Sequence, residues 1–525
     1  MAAKMAALPG KGRGGTLTMS LAYSAKTPSN YRLPLMLMAG FSAIILGLII
    51  ATELRVLLIP LVGVIVAIFL LMVPMEWVVL FQVSLSLVVA GFATYLANGS
   101  AEPQWVAYLM GWMLYARLIL HQVSAGNTDR VRIANFLIPL SVFFLIVMAS
   151  TAIARTPIFQ AFVASKEYLS LWSLLLIFST LSVTHDTVQK VWKLVLIIAV
   201  LQLPVTLYQY FFVYSTKGDS GTGSWLWAWD AVSGTFGGSK AGGPQGYVAA
   251  FLIVHALLAF ELARHKLLAD WWFWAITASC LVFIVLAEVK VVVGLLPIMF
   301  GLMYWRELIR HPLALLCSLL GLAFFVAALP KFYELIHYSN LGQLGFTSTQ
   351  TDTVKMLEEW FDPYWKNQVT GELGRITQFT YWWRYNGWHD WYHTLLGYGM
   401  GSTQGGRFAK GVLVLQYAYT LDGTVTSTLL WETGLLGTLS YVAMLLVASR
   451  LSAKLARVDG IPLFDRIVLR MNSAGLVVFI LLISYNAAPI RVPSVQVWMI
   501  LMLGHAAYWY AKTDPRCFPQ RKAAE

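Results

Sequence analysis

A glutamate and a lysine interrupt an otherwise apolar stretch of the chain, 281-LVFIVLAEVKVVVGLLPIMF-300. An ionised side chain inside a bilayer is costly, so such residues are generally functional, paired or placed outside the hydrocarbon layer. A carboxylate can take a proton from a hydroxyl group, and an ammonium group can hold an anion. Glu288 and Lys290 are two residues apart and face different sides of a helix, so they do not form an ion pair with each other. We therefore expect each of them to act on a partner elsewhere.

A second stretch whose side chains could take part in binding or catalysis, residues 371–411, mixes tryptophans with basic residues. Aromatic faces suit sugar rings, and guanidinium groups suit phosphate oxygens through paired hydrogen bonds. The candidates for sugar stacking are Trp382, Trp383 and Trp388, and the candidates for phosphate binding are Arg375, Arg384 and Arg407. The same composition is typical of an amphipathic helix that lies on a membrane surface. Composition alone leaves these two interpretations open.

His389 and His393 are four residues apart in the same stretch, with Asp390 beside the first. On a helix they would share one face, but the spacing lacks the glutamate of a HExxH zinc site and offers no third ligand. We therefore expect no metal here. A general base or a hydrogen-bonded structural role is the interpretation that the spacing favours.

A glycine-rich stretch, residues 215–247, leads into an apolar segment and carries Lys240 shortly before it. Free backbone N–H groups before a helix can bind an anion together with the helix dipole. The stretch has no Walker-type lysine spacing, so it is not a nucleotide-binding loop. Its three closely spaced tryptophans are equally typical of an aromatic belt at a membrane interface.

The elements that position these residues follow from the composition. The chain is 58% hydrophobic and has a mean hydropathy of +0.67. Apolar runs of about 17–22 residues recur, each long enough to cross a bilayer core, and their continuity predicts helices rather than a barrel. We expect an all-α polytopic membrane protein with about fourteen spans and one long outer loop. The predicted regions are a cytoplasmic tail at 1–32, spans at 33–329, a periplasmic loop at 330–425, spans at 426–511 and a cytoplasmic tail at 512–525.

The orientation follows from the positive charges. The net charge is +12, and most lysines and arginines outside the long loop fall in segments on the side of both termini, as the positive-inside rule requires of cytoplasmic segments. The charge therefore indicates a membrane topology and no nucleic-acid partner. Residues 271–305 would form a helix of roughly 52 Å, too long for one span. Two helices meeting near Glu288 on the outer side fit better.

Four stretches of the chain together resemble the superfamily of O-antigen ligases and O-antigen polymerases. They are 233-SGTFGG-238 with the later junction 287-AEVK-290, then 374-GRITQFTYWWR-384, 396-LGYGMGS-402 and 432-ETGLLGTLSYVAMLL-446. Their order, with a long outer loop before the last spans, covers the chain from about residue 230 to 450. The preceding spans are similar only in being hydrophobic.

The resemblance implies a glycosyltransferase of the GT-C-like type in a bacterial inner membrane. It implies transfer of glycan from an undecaprenyl-diphosphate carrier to an acceptor on the periplasmic face, without metal or other cofactor. The implied partners are the lipid-linked donor, the acceptor glycan, the bilayer and a chain-length regulator. Arg375 is the best match for a diphosphate-binding residue, followed by Lys290, and then by Arg384, Arg407 and Lys240.

One departure from the resemblance leaves the general base open. Ligases of the superfamily carry a histidine about nine residues before the Glu-Thr-Gly motif, and this chain has Gly423 there, next to Asp422. We expect a polysaccharide polymerase, with an O-antigen ligase as the alternative within the same chemistry. A lipid-linked glycan flippase is the alternative from another class, although the chain lacks the internal repeats typical of transporters. The candidate bases are Glu288, first, and then Asp422, His389 and His393.

Overall fold

The computed structural model describes residues 71–97, 99–125, 132–214, 232–238, 243–287, 289, 291–311, 362–366, 371–406 and 410–513, with scattered positions between 313 and 324. All elements discussed below belong to one compact unit that begins at Val73. Its helices are α1 Met75–Leu96, α2 Glu102–Ala125, α3 Leu137–Ile153, α4 Ile158–Ser179, α5 His185–Val213, α6 Gln245–Arg264, α7 Asp270–Leu286, α8 Val292–Arg310, α9 Arg375–Tyr385, α10 Trp391–Leu396, α11 Val412–Gln416, α12 Val425–Leu455, α13 Leu463–Leu482, α14 Ala488–Arg491 and α15 Pro493–Lys512.

The described residues confirm the all-helical expectation. Five of these helices, α1, α4, α5, α6 and α12, are long and apolar enough to cross a membrane. Helices α3 and α7 are shorter and equally apolar. The total of about fourteen spans and the GT-C-like class stay predictions, because the first predicted span, 33–51, lies outside the described residues.

The last helix, α15, forms the centre of the bundle. Every residue from Pro493 to Trp509 is buried, and apolar residues occur on all sides of the helix. A helix that is hydrophobic all round is stable only when other helices surround it. Helices α4, α13 and α1 pack against α15 and supply that cover.

The predicted helix junction near residue 288 is confirmed. Helix α7 ends at Leu286 and α8 begins at Val292. Glu288 and Lys290 themselves lie outside the described residues, as do Lys240 and Arg407. Their proposed roles stay predictions.

Three helices contain wide, π-type turns: Leu85–Val89 in α1, Lys166–Ser170 in α4 and Gln209–Tyr214 at the end of α5. Such turns are frequent at functional sites, because they redirect side chains that a regular helix would place elsewhere. Two of them supply polar side chains to the region described next.

The segments that the charge pattern assigns to the outer side come together at one end of the bundle, called here the outer end. Gln160 of α4 donates to the carbonyl of Gly401 in the long loop. Ser494, at the start of α15, donates to the carbonyl of Phe236 in the glycine-rich stretch. These bonds join parts of the sequence that are hundreds of residues apart.

Candidate functional site

Helix α12 is broken within the Glu-Thr-Gly motif. Gly434 has φ +66° and ψ −167°, and a Cβ atom there would lie 2.3 Å from the backbone of Leu395. Only glycine adopts this conformation at low cost and leaves room for the neighbouring chain. The break exposes the carbonyls of Trp431 and Glu432, which accept hydrogen bonds from the amides of Tyr398 and Gly399 at 2.8 and 3.0 Å. Two of the four stretches that carry the resemblance therefore fix each other's backbone.

The carboxylate of Glu432 lies beside this break and is fully buried. It accepts hydrogen bonds from the amides of Gly401 and Thr403, at 2.8 and 3.3 Å, and from the Thr403 hydroxyl at 2.5 Å. The hydroxyl of Tyr168, in the wide turn of α4, donates to it at 2.7 Å. A buried charge is tolerated only with such compensation. Glu432 thereby ties the long loop to two helices.

Arg491, in the short helix α14, is the cation nearest to Glu432. Its guanidinium Nη1 lies 2.6 Å from Asp422 Oδ2, and its Nη2 lies 3.9 Å from Glu432. Nη2 also donates to the Thr403 hydroxyl at 3.2 Å. Burial acts against the charge, but Asp422 together with Glu167 and Glu432 raises the pKa of Arg491 above its usual range. Arg491 is therefore a permanently charged residue whose guanidinium group already contacts carboxylates.

A pocket of about 330 Å³ opens beside this cluster. It is lined by Arg491 and Asn486 from the last outer junction, by Gly238 and Gly243 from the glycine-rich stretch, and by Gln104 from the start of α2. Three separate outer segments therefore form its wall. Most of the wall is apolar, and its polar side chains are those of Thr94, Gln104, Asn486 and Arg491. Ligand pockets commonly combine apolar walls with a few polar groups that orient the ligand.

Arg375, the predicted diphosphate-binding residue, lies next to the same pocket and contrasts with Arg491. It is the first residue of α9, and its guanidinium carbon lies 5.3 Å from the centre of the Tyr485 ring. Tyr485 directly precedes Asn486, which lines the pocket. Within the described residues, Arg375 makes no hydrogen bond or ion pair. Burial lowers the pKa of Arg375, although Tyr485 and the carboxylate of Glu372 act in the opposite direction.

The structure also places the predicted candidate base Asp422. It is half-buried, and one of its oxygens holds Arg491. The neighbouring Thr424 donates to Gln378, one turn after Arg375 on α9. The segment 422–424 therefore connects the two arginines, and Asp422 is the candidate base that lies at the pocket.

His393 and His389, the other candidate bases, differ in their surroundings. His393 Nδ1 lies 2.5 Å from Asp390 Oδ2, and its ring stacks on Tyr398 at 3.9 Å. His389 is exposed. No group of three or more His, Cys, Asp and Glu side chains in the described ranges is arranged to hold a metal ion. A role for either histidine stays a prediction.

Trp382 occupies the core and not a sugar-binding surface, which corrects the prediction for this residue. It is 1% exposed, and its indole N–H donates to the carbonyl of Leu430 at 3.0 Å. It packs with Tyr381, Leu413 and Trp431, so its ring faces are covered by protein. Trp383, Trp388 and Arg384 are exposed, and their predicted contacts with sugar or phosphate stay predictions.

The glycine-rich stretch is held by two buried glutamines of α5. Gln209 accepts from the amides of Ser233 and Gly234, and Gln202 accepts from the amide of Thr235. These three amides are therefore not available to an anion, contrary to the prediction for a free loop. The stretch contributes to the pocket through Gly238 and Gly243.

Sequence reasoning missed Arg491 and Glu432 as site residues. From the sequence, Arg491 was interpreted only as a positive charge in a short outer loop, and Glu432 only as part of the Glu-Thr-Gly motif. A signal was present, because both are charged residues between long apolar runs. Comparison with known proteins adds no assignment: no protein-family model matches the chain, and no curated protein is significantly similar to it.

Proposed function

We propose that this protein is a membrane glycosyltransferase that polymerises undecaprenyl-diphosphate-linked repeat units into surface polysaccharide or exopolysaccharide. The proposed location is the periplasmic face of a bacterial inner membrane. The proposal rests on the resemblance given above and on one arrangement in the structure. Arg375, which is half-buried and makes no ion pair with another described residue, stacks on Tyr485 beside the pocket residue Asn486. Arg491, in the wall of the same pocket, holds the carboxylate of Asp422.

Arg375 is the proposed ligand of the donor diphosphate. A cation that is partly removed from water and makes no ion pair with another described residue gains from an anionic ligand. Arg375 is the first residue of α9, so the positive end of the helix dipole adds to the positive charge of its guanidinium group. Arg491, whose guanidinium already contacts two carboxylates, is the weaker candidate for this role.

Asp422 is the proposed base among the described residues. Its oxygen that is not held by Arg491 takes the proton from the acceptor hydroxyl, whose oxygen bonds to the anomeric carbon of the donor. The bond from that carbon to the diphosphate breaks, and the electron pair leaves with the diphosphate. Arg375 stabilises the charge that develops on this leaving group. Arg491 keeps Asp422 in place and is a positioning residue in this scheme.

The first test is complementation of a deletion strain. Arg375→Gln is expected to lower the rate of polymer formation by about 10²–10³-fold, the effect typical of removing one donor to a developing charge. Arg450→Gln, an exposed arginine on α12 outside the proposed site, is the matched control and is expected to act like the wild type. Equal rates for Arg375→Gln and the control would refute the proposed diphosphate site.

The glycan phenotype of the deletion distinguishes the candidate functions. Loss of a polymerase leaves a single repeat unit on its anchor. Loss of a ligase leaves polymer on the lipid carrier, and loss of a flippase removes repeat units from the outer face. Only the first result supports the proposal.

A second set of variants identifies the base. If Asp422 is the base, Asp422→Asn abolishes polymerisation while the protein stays inserted and folded, and Glu288→Gln keeps measurable activity. The reverse result would assign the base to Glu288, the first candidate from the sequence.

A further inference from the structure

Helix α9 has one buried and one exposed apolar face. Trp382 and Tyr381 pack into the core. Ile376, Phe379 and Trp383 are exposed, and their spacing of three and four residues places them along one side of the helix. The following turn leaves Trp388 and Trp391 exposed at 83% and 66%. These five residues, called here the aromatic face, form an apolar surface on the long loop.

The break in α12 serves as a reference for the position of the aromatic face along the membrane normal. Residues 434–455 would be roughly 33 Å long as a helix, which matches a hydrocarbon core of about 30 Å. The exposed leucines of α12, Leu436, Leu439 and Leu446, all follow the break, as expected for side chains that face lipid tails. Gly434 therefore marks the outer edge of the hydrocarbon layer.

The same scale places α9 in the headgroup layer. The indole of Trp382 donates to the carbonyl of Leu430, which precedes Gly434 by four residues and lies on the other side of the break from the lipid-facing part of α12. Four helical residues span roughly 6 Å, which is the upper limit of its height above Gly434. The headgroup layer is about 5–8 Å thick on each side of the core. Since Trp382 points toward α12, the exposed residues of α9 point away from the bundle at that height.

The composition of the aromatic face fits this layer. Tryptophan is enriched at the membrane–water interface because its ring is apolar and its N–H is polar. Arg384, between the exposed tryptophans, is itself exposed and complements the phosphate groups of lipids. Interfacial helices combine aromatic and basic residues in this way.

We propose that the aromatic face is a membrane-contact surface that inserts into the headgroup layer of the outer leaflet. This contact holds the start of α9, and with it Arg375, at a fixed height above the lipid tails. Trp383 and Trp388 then contact lipid and not sugar. The proposal depends on the geometry of α9 and α12 and does not require the reaction proposed above.

Site-directed spin labelling of the full-length protein in bilayers tests the contact. After replacement of Cys280, Cys317 and Cys517 by serine, single labels are placed through Phe379→Cys, Trp383→Cys and Trp388→Cys in bilayers of phosphatidylethanolamine and phosphatidylglycerol. Collision rates with oxygen and with a water-soluble nickel complex report depth. Leu439→Cys gives the hydrocarbon reference, and Asp459→Cys, whose side chain is fully exposed, gives the water reference.

The expected oxygen-to-nickel ratio at 379, 383 and 388 is several-fold above that at 459 and below that at 439. Ratios equal to that at 459 would overturn the proposal. A ratio that changes only when soluble glycan is added would also overturn it, because the face would then bind sugar. If the deletion strain polymerised glycan normally while the labels reported these depths, the membrane contact would stand and only the proposed enzyme would be refuted.

Discussion

Two buried carboxylates lie at opposite ends of the helix bundle, and they are held by different kinds of donor. Glu432, at the outer end, is bound by two amides and two hydroxyls. Asp465 lies in the first turn of α13, whose other end reaches the outer segments. Its two oxygens contact His185 at 2.8 Å and His505 at 3.1 Å.

The difference lies in what each carboxylate holds together. The donors of Glu432 belong mostly to the loop 401–403, next to the pocket. Backbone amides and hydroxyls do not change charge between pH 5 and 8, whereas imidazoles do. Asp465 instead joins three helices, α5, α13 and α15, through two histidine side chains. The first arrangement fixes a loop at a site, and the second fixes the packing of helices.

Glu432→Ala is expected to have the largest effect. The substitution leaves the buried amides of Gly401 and Thr403 without their acceptor, and Arg491 loses one of its two neighbouring carboxylates while it keeps Asp422. The free energy of unfolding should fall by about 3–5 kcal/mol, as for other broken buried charge networks. Titration with denaturing detergent measures it, and polymerisation should be lost. Glu102→Ala, at an exposed residue in the first turn of α2, serves as the control and should change stability little.

Gly434→Ala should follow in size. The alanine would be strained at φ +66°, and its Cβ would overlap the backbone of Leu395. Together these effects should lower the free energy of unfolding by about 3 kcal/mol and release the loop from the break. At Gly460 an added Cβ meets nothing within 4 Å, so Gly460→Ala is the matched control. Equal stability of the two variants would show that the break is not fixed by the loop.

Part of this arrangement could be predicted from the sequence. Run length and charge bias predicted a helical membrane protein and the junction near residue 288, because both depend on local composition. Arg375 was selected through the resemblance, and Asp422 because it is next to Gly423, where the resemblance departs. In the structure, Asp422 contacts Arg491 of the pocket wall, and Arg375 stacks on Tyr485, which directly precedes Asn486 of that wall.

The rest depends on contacts between distant parts of the chain. Trp382 and Trp383 are neighbours with the same composition around them, yet one is in the core and the other is exposed. Only the position of α12 decides which face of α9 is covered. Likewise, nothing near Ser233 shows that two glutamines of α5 occupy the amides of the glycine-rich stretch. Residue type and spacing do not encode such pairings.

Asp465→Asn should have an intermediate effect and a pH dependence. Burial opposes its charge, but hydrogen bonds from His505 and His185 lower the pKa of Asp465 below its ordinary value. A lowered pKa stabilises the folded protein above the unfolded-state pKa of about 3.9, and the stabilisation disappears as the pH falls below it. The variant should lose about 1–3 kcal/mol near neutral pH and less near pH 3, with polymerisation per folded molecule unchanged. A loss that is independent of pH would contradict the role assigned to the carboxylate.

Tyr168→Phe should have the smallest effect and gives the most direct view of the charge on Glu432. The variant removes one hydrogen bond to the carboxylate, and the donors from Gly401 and Thr403 remain. Tyr115→Phe is matched in chemistry and region, because the Tyr115 hydroxyl donates at 2.8 Å to a neutral acceptor, the carbonyl of Leu169. Hydrogen bonds to charged groups contribute about 1.5–3 kcal/mol and neutral ones about 1 kcal/mol, so the Tyr168 variant should lose more stability. Equal losses would mean that Glu432 is protonated in the folded protein, so that the outer end of the bundle holds a neutral carboxyl group.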